Sequence, residues 1–340
     1  MRNQTQVYDA YIAGRQSAAL AAAVRLGLFD ALAPGALPLE ELARRLEVAP
    51  RPLGHLVRAL VAMDLLARGP GGIELGAEAA AELVTGAPGS LCGLIDLEVE
   101  NFLTPRLVLE ALRSDAPSVY GGDDPWAAHQ RDPERARAFT RAMHSISLRP
   151  GEALAESVDF SRGGLLLDLG GGSGALSIAL ARRWPELRCT VVDLPEVCEL
   201  AEEYVAGAGL EGRVETLPAD FFADPLPPAD AVLLSQILHD WTPERGEALL
   251  RRVRGLLRPE GRVLVHEKLV SDDGRGPLAN ALVDLDMLVW TEGQQYSAAS
   301  LAALLERSGF EGVSSRRTTG YWSVVEARPA GAAGLPGAGD

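Results

Sequence analysis

Two stretches of this 340-residue chain carry the residue types and spacing that chemistry needs. The first is Asp168-Leu169-Gly170-Gly171-Gly172-Ser173-Gly174-Ala175, where an apolar run over 165–169 gives way to glycines and then to a helical pattern. A strand-to-helix turn without side chains lets a nucleotide-like ligand reach backbone amides at a helix start. Asp193 lies about 20 residues beyond the glycines, at the end of a second apolar run, where a carboxylate can accept both hydroxyls of a ribose. Asp220-Phe221 follows a third run and offers an acceptor for an exocyclic amine beside a ring that can stack on a purine. The second stretch, SQILHDWTP over 235–243, places His239 just before a helix N-cap (Thr242) and a first-position proline (Pro243). A histidine on that rim can take a proton from a hydroxyl.

The loop alone does not name its ligand. As Gly170-x-Gly172-x-x-Ala175 it satisfies the dinucleotide fingerprint, and as Gly171-x-Ser173-x-Ala175 it narrowly misses a hydrolase nucleophile elbow. Asp168, at the mouth of the turn, is a poor neighbour for pyrophosphate and a good one for an ammonium group, which suits the amino-acid end of S-adenosylmethionine. Ser173 comes with no independent sign of an oxyanion hole. Each residue also has a plainer use: Asp168 as a turn cap, Asp193 as a helix cap, Phe221 as core, His239 as a structural residue before a helix. Their order at the ends of successive strands, where open sheets bind ligands, gives the set its weight.

These residues need a framework. With 47 acidic against 32 basic residues the net charge is −15, which disfavours binding to nucleic acid. Lys268 is the only lysine and no GxxxxGK[ST] occurs, which removes P-loop chemistry. Cys92, Cys189 and Cys198 make no even or patterned set, so neither disulfides nor structural zinc are expected, and a reducing, cytoplasmic setting is. The first residues show no export signal, and no membrane span is expected, because Arg25 and Asp30 interrupt the Ala/Leu-rich stretch.

The chain divides by character. Over 1–95, Leu20, Val24, Leu28 and Leu32 recur on a helix ended by Pro34-Gly35, and helices over 39–46 and 52–65 precede a strand pair over 66–75. That is a winged-helix pattern. Arg51, His55, Arg58 and Arg68 allow a DNA-reading version of it, against a dimerisation module that lost the nucleic acid. Residues 96–150 read as a helical linker carrying Phe102, Trp126, Phe139 and Met143, ended at Arg149-Pro150-Gly151. Over 151–329, strands at 165–169, 189–193, 213–217, 230–235, 262–268 and 322–328 alternate with helices at 175–184, 196–208, 243–257 and 298–308, which predicts an α/β fold with a doubly wound, mostly parallel sheet. The Gly/Ala/Pro tail over 330–340 has nothing to bury and is expected to be disordered.

LHDWTP, DLGGGSG, VVDLPEV and ADFF together resemble the plant-type and bacterial O-methyltransferases that use S-adenosylmethionine, including caffeate, acetylserotonin and polyketide-tailoring enzymes. The resemblance spans nearly the whole chain. It implies a seven-stranded Rossmann-like sheet, an N-terminal α-helical winged-helix-like domain that makes a homodimer, and intervening helices that complete the pocket for a small hydroxylated aromatic or polyketide-type secondary metabolite. It implies that Asp193 and Leu194 hold the ribose, Asp220 and Phe221 the adenine, and Asp168, Gly170, Gly172 and Gly174 the amino-acid side. His239 becomes the general base, with Glu267 and Asp240 beside it. Where plant members usually carry a lysine this chain has Ser235, still expected at the cofactor, and Gln295 stands where a second acid normally flanks the base. An amide can position an imidazole but does not stabilise its protonated form as a carboxylate does. Alternatives are a fold relative that hydroxylates or decarboxylates, and a winged-helix DNA-binding regulator.

A phenol near pKa ~10 and a histidine near ~6.5 are mismatched by about 5 kcal/mol, while in-line positioning contributes ~7–11 kcal/mol, so positioning should dominate. Met143, Met287 and Trp290, with Trp126 and Gln295, are the candidate acceptor walls, since thioether and indole surfaces adapt to flat rings. Asp284 and Asp286, two apart on a helix, diverge, and no metal is expected.

Overall fold

The computed structural model describes residues 5–99, 104–121 and 125–331. Phe102 and the tail beyond residue 331 lie outside them. The chain forms two compact units, Met1–Leu103 and Thr104–Asp340.

The first unit is helical. Helix α1 (Gln6–Arg25) is followed by α2 (Leu28–Leu32), α3 (Leu39–Arg45) and α4 (Pro50–Ala62), then by an antiparallel hairpin of β1 (Leu66–Gly69) and β2 (Gly72–Leu75), and by α5 (Ala77–Glu82) and α6 (Cys92–Glu98). Leu53, Val57 and Leu60 of α4 pack with Phe29, Leu42, Leu66 and Ile73 in one core, the burial that the helical spacing of these apolar residues anticipates.

The second unit begins with α7 (Pro105–Ser114), α8 (Pro125–Arg131) and α9 (Pro133–Ser157). It continues as β3 (Gly164–Leu169), α10 (Ala175–Arg183), β4 (Leu187–Asp193), α11 (Pro195–Ala208), β5 (Val214–Pro218), β6 (Ala229–Ser235), α12 (Pro243–Leu256) and β7 (Leu257–Glu267). It closes with α13 (Leu278–Trp290), α14 (Ala298–Arg307), β8 (Phe310–Arg317) and β9 (Ser323–Pro329). The seven strands form one sheet in the order β5-β4-β3-β6-β7-β9-β8. The first five run parallel, and β9 pairs antiparallel with both β7 and β8. The strand order reverses between β3 and β6, the switch point beside which open sheets hold ligands.

Alternation along the strands builds two cores. Leu167, Leu169, Val232, Leu234, Val263 and Val265 face one way; Leu166, Val191, Leu233 and Leu264 face the other, with Leu154, Leu180 and Ala201 of the helices. Each such side chain contributes about 1.5–3 kcal/mol by leaving water, so the register at which the strand ends meet the loops is firmly set.

Two expectations fail. The helix expected to carry Leu20, Val24, Leu28 and Leu32 up to Pro34-Gly35 is two: α1 ends at Arg25 and α2 starts at Leu28, because Gly27 between them takes a left-handed φ of 70°. The helix does not break at Arg149-Pro150-Gly151: α9 runs through Pro150 to Ser157. An internal proline costs about 3 kcal/mol, but Pro150, Gly151, Leu154 and Ala155 are all buried on this helix. Gly151 lets it approach α10 closely, since an added Cβ would stand 3.4 Å from Leu176 Cα and Ala179 Cβ. Strand β8 has no counterpart among the expected strands, because its residues, FEGVSSRR, are mostly polar and exposed and its register shifts between Glu311 and Ser314. Gly151→Leu should force α9 away from α10 and lower the unfolding free energy by about 1–3 kcal/mol; an unshifted urea midpoint would contradict this packing.

Candidate active site

The glycine loop joins β3 to α10, with Gly170, Gly172 and Gly174 at φ of 66°, 56° and 73°, left-handed values that favour glycine. Gly170 is also required by space: an added Cβ would lie 2.3 Å from Ile237 Cδ1 and 3.4 Å from Phe221 Cε1. The loop therefore comes into contact with Phe221, half-buried after β5, and with Ile237 after β6. Asp193 ends β4 and accepts hydrogen bonds from Gly172 N (Oδ2, 2.8 Å) and Leu194 N (Oδ1, 2.8 Å). Each oxygen keeps a further acceptor position for a ribose hydroxyl. Burial pushes its pKa up to about 6. Asp220 is exposed, and its Oδ1 closes a turn by accepting from Phe222 N. The residues present fit a nucleoside: bare backbone at the turn, a diol acceptor at the next strand end, an aromatic face and a carboxylate at the third.

Two residues expected at the cofactor have partners within the protein. Asp168 lies against the loop, where a Cβ on Gly171 would stand 2.7 Å from its Cγ, and is 1% exposed, on the strand face of Leu166 toward α10. Its Oδ2 accepts from Ser177 Oγ at 2.7 Å and burial raises its pKa to about 6. Ser235, at the end of β6, has its hydroxyl 3.2 Å from His266 Nδ1, which commits it to the β6–β7 pair.

His239 sits on a single helical turn, Leu238–Asp240, between β6 and α12. Thr242 caps α12 by accepting from Arg245 N. The imidazole is 5% exposed. Its Nδ1 lies 3.0 Å from Glu267 Oε2 at the end of β7 and 2.8 Å from Gln295 Nε2. Its Nε2 lies 3.5 Å from Asp240 Oδ1. Burial alone would lower the pKa, but the carboxylates of Glu267 and then Asp240 more than reverse this and raise it to about 9. Burial in turn pushes Asp240 up to about 7. Gln295 is held by its backbone N–H, which donates to Asp284 Oδ1 at 2.7 Å. Asp286, by contrast, lies in the field of Lys268, so the two α13 acids serve different neighbours. Among the described residues no three His, Cys, Asp or Glu side chains gather as a metal would need.

Sequence reasoning missed Gly293. An added Cβ there would stand 1.9 Å from His239 O, so the loop after α13 lies backbone to backbone against the histidine turn. Only the absence of a side chain signals this, and that is ambiguous in sequence.

Trp126 and Trp290 do meet, with ring centroids 5.4 Å apart. Around them stand Phe139 (5.1 Å from Trp290) and Trp241 (6.2 Å from Trp126), two residues after His239. Trp241 in turn meets Phe222 edge-on at 4.9 Å, and Phe222 meets Phe221 at 5.0 Å. Rings thus run unbroken from Phe221 to Trp290. Met143 lies four residues after Phe139 on α9, half-buried, and Met287 three before Trp290 on α13, buried, spacings that keep each near the same helix face.

A glycine loop at the switch point, Asp193 at the end of the next strand and an acid-flanked histidine after β6 mark a Rossmann-like α/β domain. A family model described as an O-methyltransferase domain matches residues 108–311, and one described as an O-methyltransferase dimerisation domain matches 10–85. The chain is 41% identical to 3-hydroxy-5-methyl-1-naphthoate 3-O-methyltransferase of Streptomyces sahachiroi, covering 85% of this chain and 84% of that protein. It is 34% identical to acetylserotonin O-methyltransferase of Bos taurus, covering 92% and 94%. The solved human N-acetylserotonin methyltransferase, in complex with S-adenosylmethionine, superposes with a TM-score of 0.86 at 29% identity, covering 97% of this chain and 99% of that one. The chain belongs to the O-methyltransferase family and is an S-adenosylmethionine-dependent enzyme. No helix among the described residues is long and apolar enough to cross a membrane.

Gly293→Ala should displace the histidine turn, lowering both the thermal midpoint and methyl transfer. Wild-type values for both would show that this backbone contact does not position His239.

Proposed function

We propose that the enzyme methylates a hydroxyl of a small aromatic metabolite, with His239 as general base. The observation that carries this reading is the buried His239, its Nδ1 on Glu267 and its Nε2 side turned to Asp240, next to the ring cluster that includes Trp241 and Trp290. Bound S-adenosylmethionine supplies an electrophilic methyl on a sulfonium sulfur. On this reading Gly170, Gly172 and Gly174 give it backbone, Asp193 and Leu194 take the ribose side, Asp220 and Phe221 take the adenine, and Asp168 supports the loop from below.

With the proton on Nδ1, between Glu267 Oε2 and a Gln295 amide turned oxygen-first, Nε2 presents its lone pair to the acceptor hydroxyl and takes the proton as the oxygen attacks. The imidazolium so formed is stabilised by Glu267 and finds Asp240 Oδ1 on the Nε2 side. Raising the histidine toward 9 brings it nearer a phenol's ~10 than an ordinary imidazole at ~6.5, so the base takes a larger share than free-residue values suggest. Gln295 orients the ring without adding charge. Trp126, Phe139, Trp241 and Trp290, with Met143 and Met287, clamp a flat ring and exclude water. The aromatic acceptor draws support from the naphthoate-methylating relative. The first unit, matched by the dimerisation model, makes a homodimer, and the helices over 104–157 complete the acceptor pocket.

A base with a raised pKa is protonated at neutral pH, so activity should increase as the proton leaves. With S-adenosylmethionine saturating, kcat/KM for a phenolic acceptor should climb from pH 7 and level off at or below about 9, since a nearby sulfonium favours the neutral ring. His239→Asn should cut turnover by 10²-fold or more and abolish this slope. The same slope in that variant would overturn the assignment.

A further inference from the structure

The loop Gly170-Gly171-Gly172-Ser173-Gly174 has one side chain, that of Ser173. Glycines lose more conformational freedom on ordering than any other residue, so a loop of this composition keeps a binding shape only if its surroundings hold it. Asp193 holds it on one side through Gly172 N. On the other, Ser173 Oγ lies 2.7 Å from Nδ1 of His144, a residue of α9.

His144 is itself well fixed. Its ring stacks on Tyr204 of α11 with centroids 3.7 Å apart and planes 17° from parallel, and Arg137 on α9 pairs with Glu203 on α11 at 2.6 Å. Burial lowers its pKa to about 4, so at neutral pH it supplies a hydrogen bond without a second cation beside a cationic ligand. Ser173 is 4% exposed, so a loop hydroxyl that lost this partner would be left buried without it, at a cost. Residue 144 lies 29 positions from the loop and outside every motif discussed above.

We propose that His144 is a positioning residue that holds the glycine loop, through Ser173, in the shape that binds S-adenosylmethionine. The inference rests on the assignment of that cofactor to the loop. Because α9 also carries Phe139 of the ring cluster, one helix braces the cofactor loop and bears on the acceptor side.

The test is calorimetric binding of S-adenosylhomocysteine to the full chain. His144→Ala and Ser173→Ala should each weaken binding about fivefold, the value of one hydrogen bond. The double variant should be no weaker than either alone, because both remove the same contact. His144→Asn, whose amide can stand close to the position of Nδ1, should recover most of the affinity, which a purely packing role would not allow. Independent, multiplying losses in the double variant, or an asparagine variant as weak as alanine, would overturn the proposal. If His144→Ala fails to fold, Ser173→Ala and His144→Asn carry the test between them. Asp193→Ala separates the two readings. Lost binding there with wild-type binding in both His144 and Ser173 variants overturns the role of His144 alone. Retained binding in all of them overturns the placement of the cofactor as well.

Discussion

A nearly water-free imidazole held between carboxylates is the constraint around which this molecule is arranged. Burying an ionisable group is costly unless it is paired and hydrogen-bonded, and His239 meets that condition only because two other segments converge on its turn. Glu267 arrives from the end of β7, Asp240 from the same turn, and Gln295 from the loop after α13, anchored on Asp284. Gly293 lets that loop lie flush against the histidine backbone. The adjacent parallel strands β6 and β7, in register from Ala231↔Arg262 to Ser235↔His266, bring the first two of these together.

The same strand order sets the other half of the site. Between β3 and β6 the sheet changes direction of travel, so the loops that leave them diverge and open a crevice. The contact of Gly170 with Ile237 and Phe221 marks where the two halves touch. From Phe221 a line of rings continues through Phe222, Trp241 and Trp126 to Trp290. A flat acceptor held against such rings has few orientations open to it, and restricting orientation is how a site makes an in-line displacement fast.

What could be read in the sequence was whatever is local. The glycine loop, Asp193 twenty-one residues past Gly172, and the histidine before a Thr-Pro helix start each write their structure within one strand, turn and helix. The helical and strand periods likewise announced the doubly wound sheet. Misreadings came where the local signal is outvoted or absent: Pro150, carried inside α9 by the burial around it; β8, a polar edge strand without an apolar run. The partners of His239 and His144 are 56 and 29 residues away or assembled from several elements, and nothing short-range encodes such meetings.

The central claim is that the crevice at the switch point presents a sulfur nucleoside to His239. A crystal structure with S-adenosylhomocysteine and a bound phenolic acceptor measures this directly. With His239 as base, the ribose hydroxyls lie on Asp193 and the acceptor oxygen within hydrogen-bonding reach of His239 Nε2, on a line toward the sulfur. An acceptor oxygen turned away from the imidazole, or a nucleoside seated off the glycine loop, would contradict it.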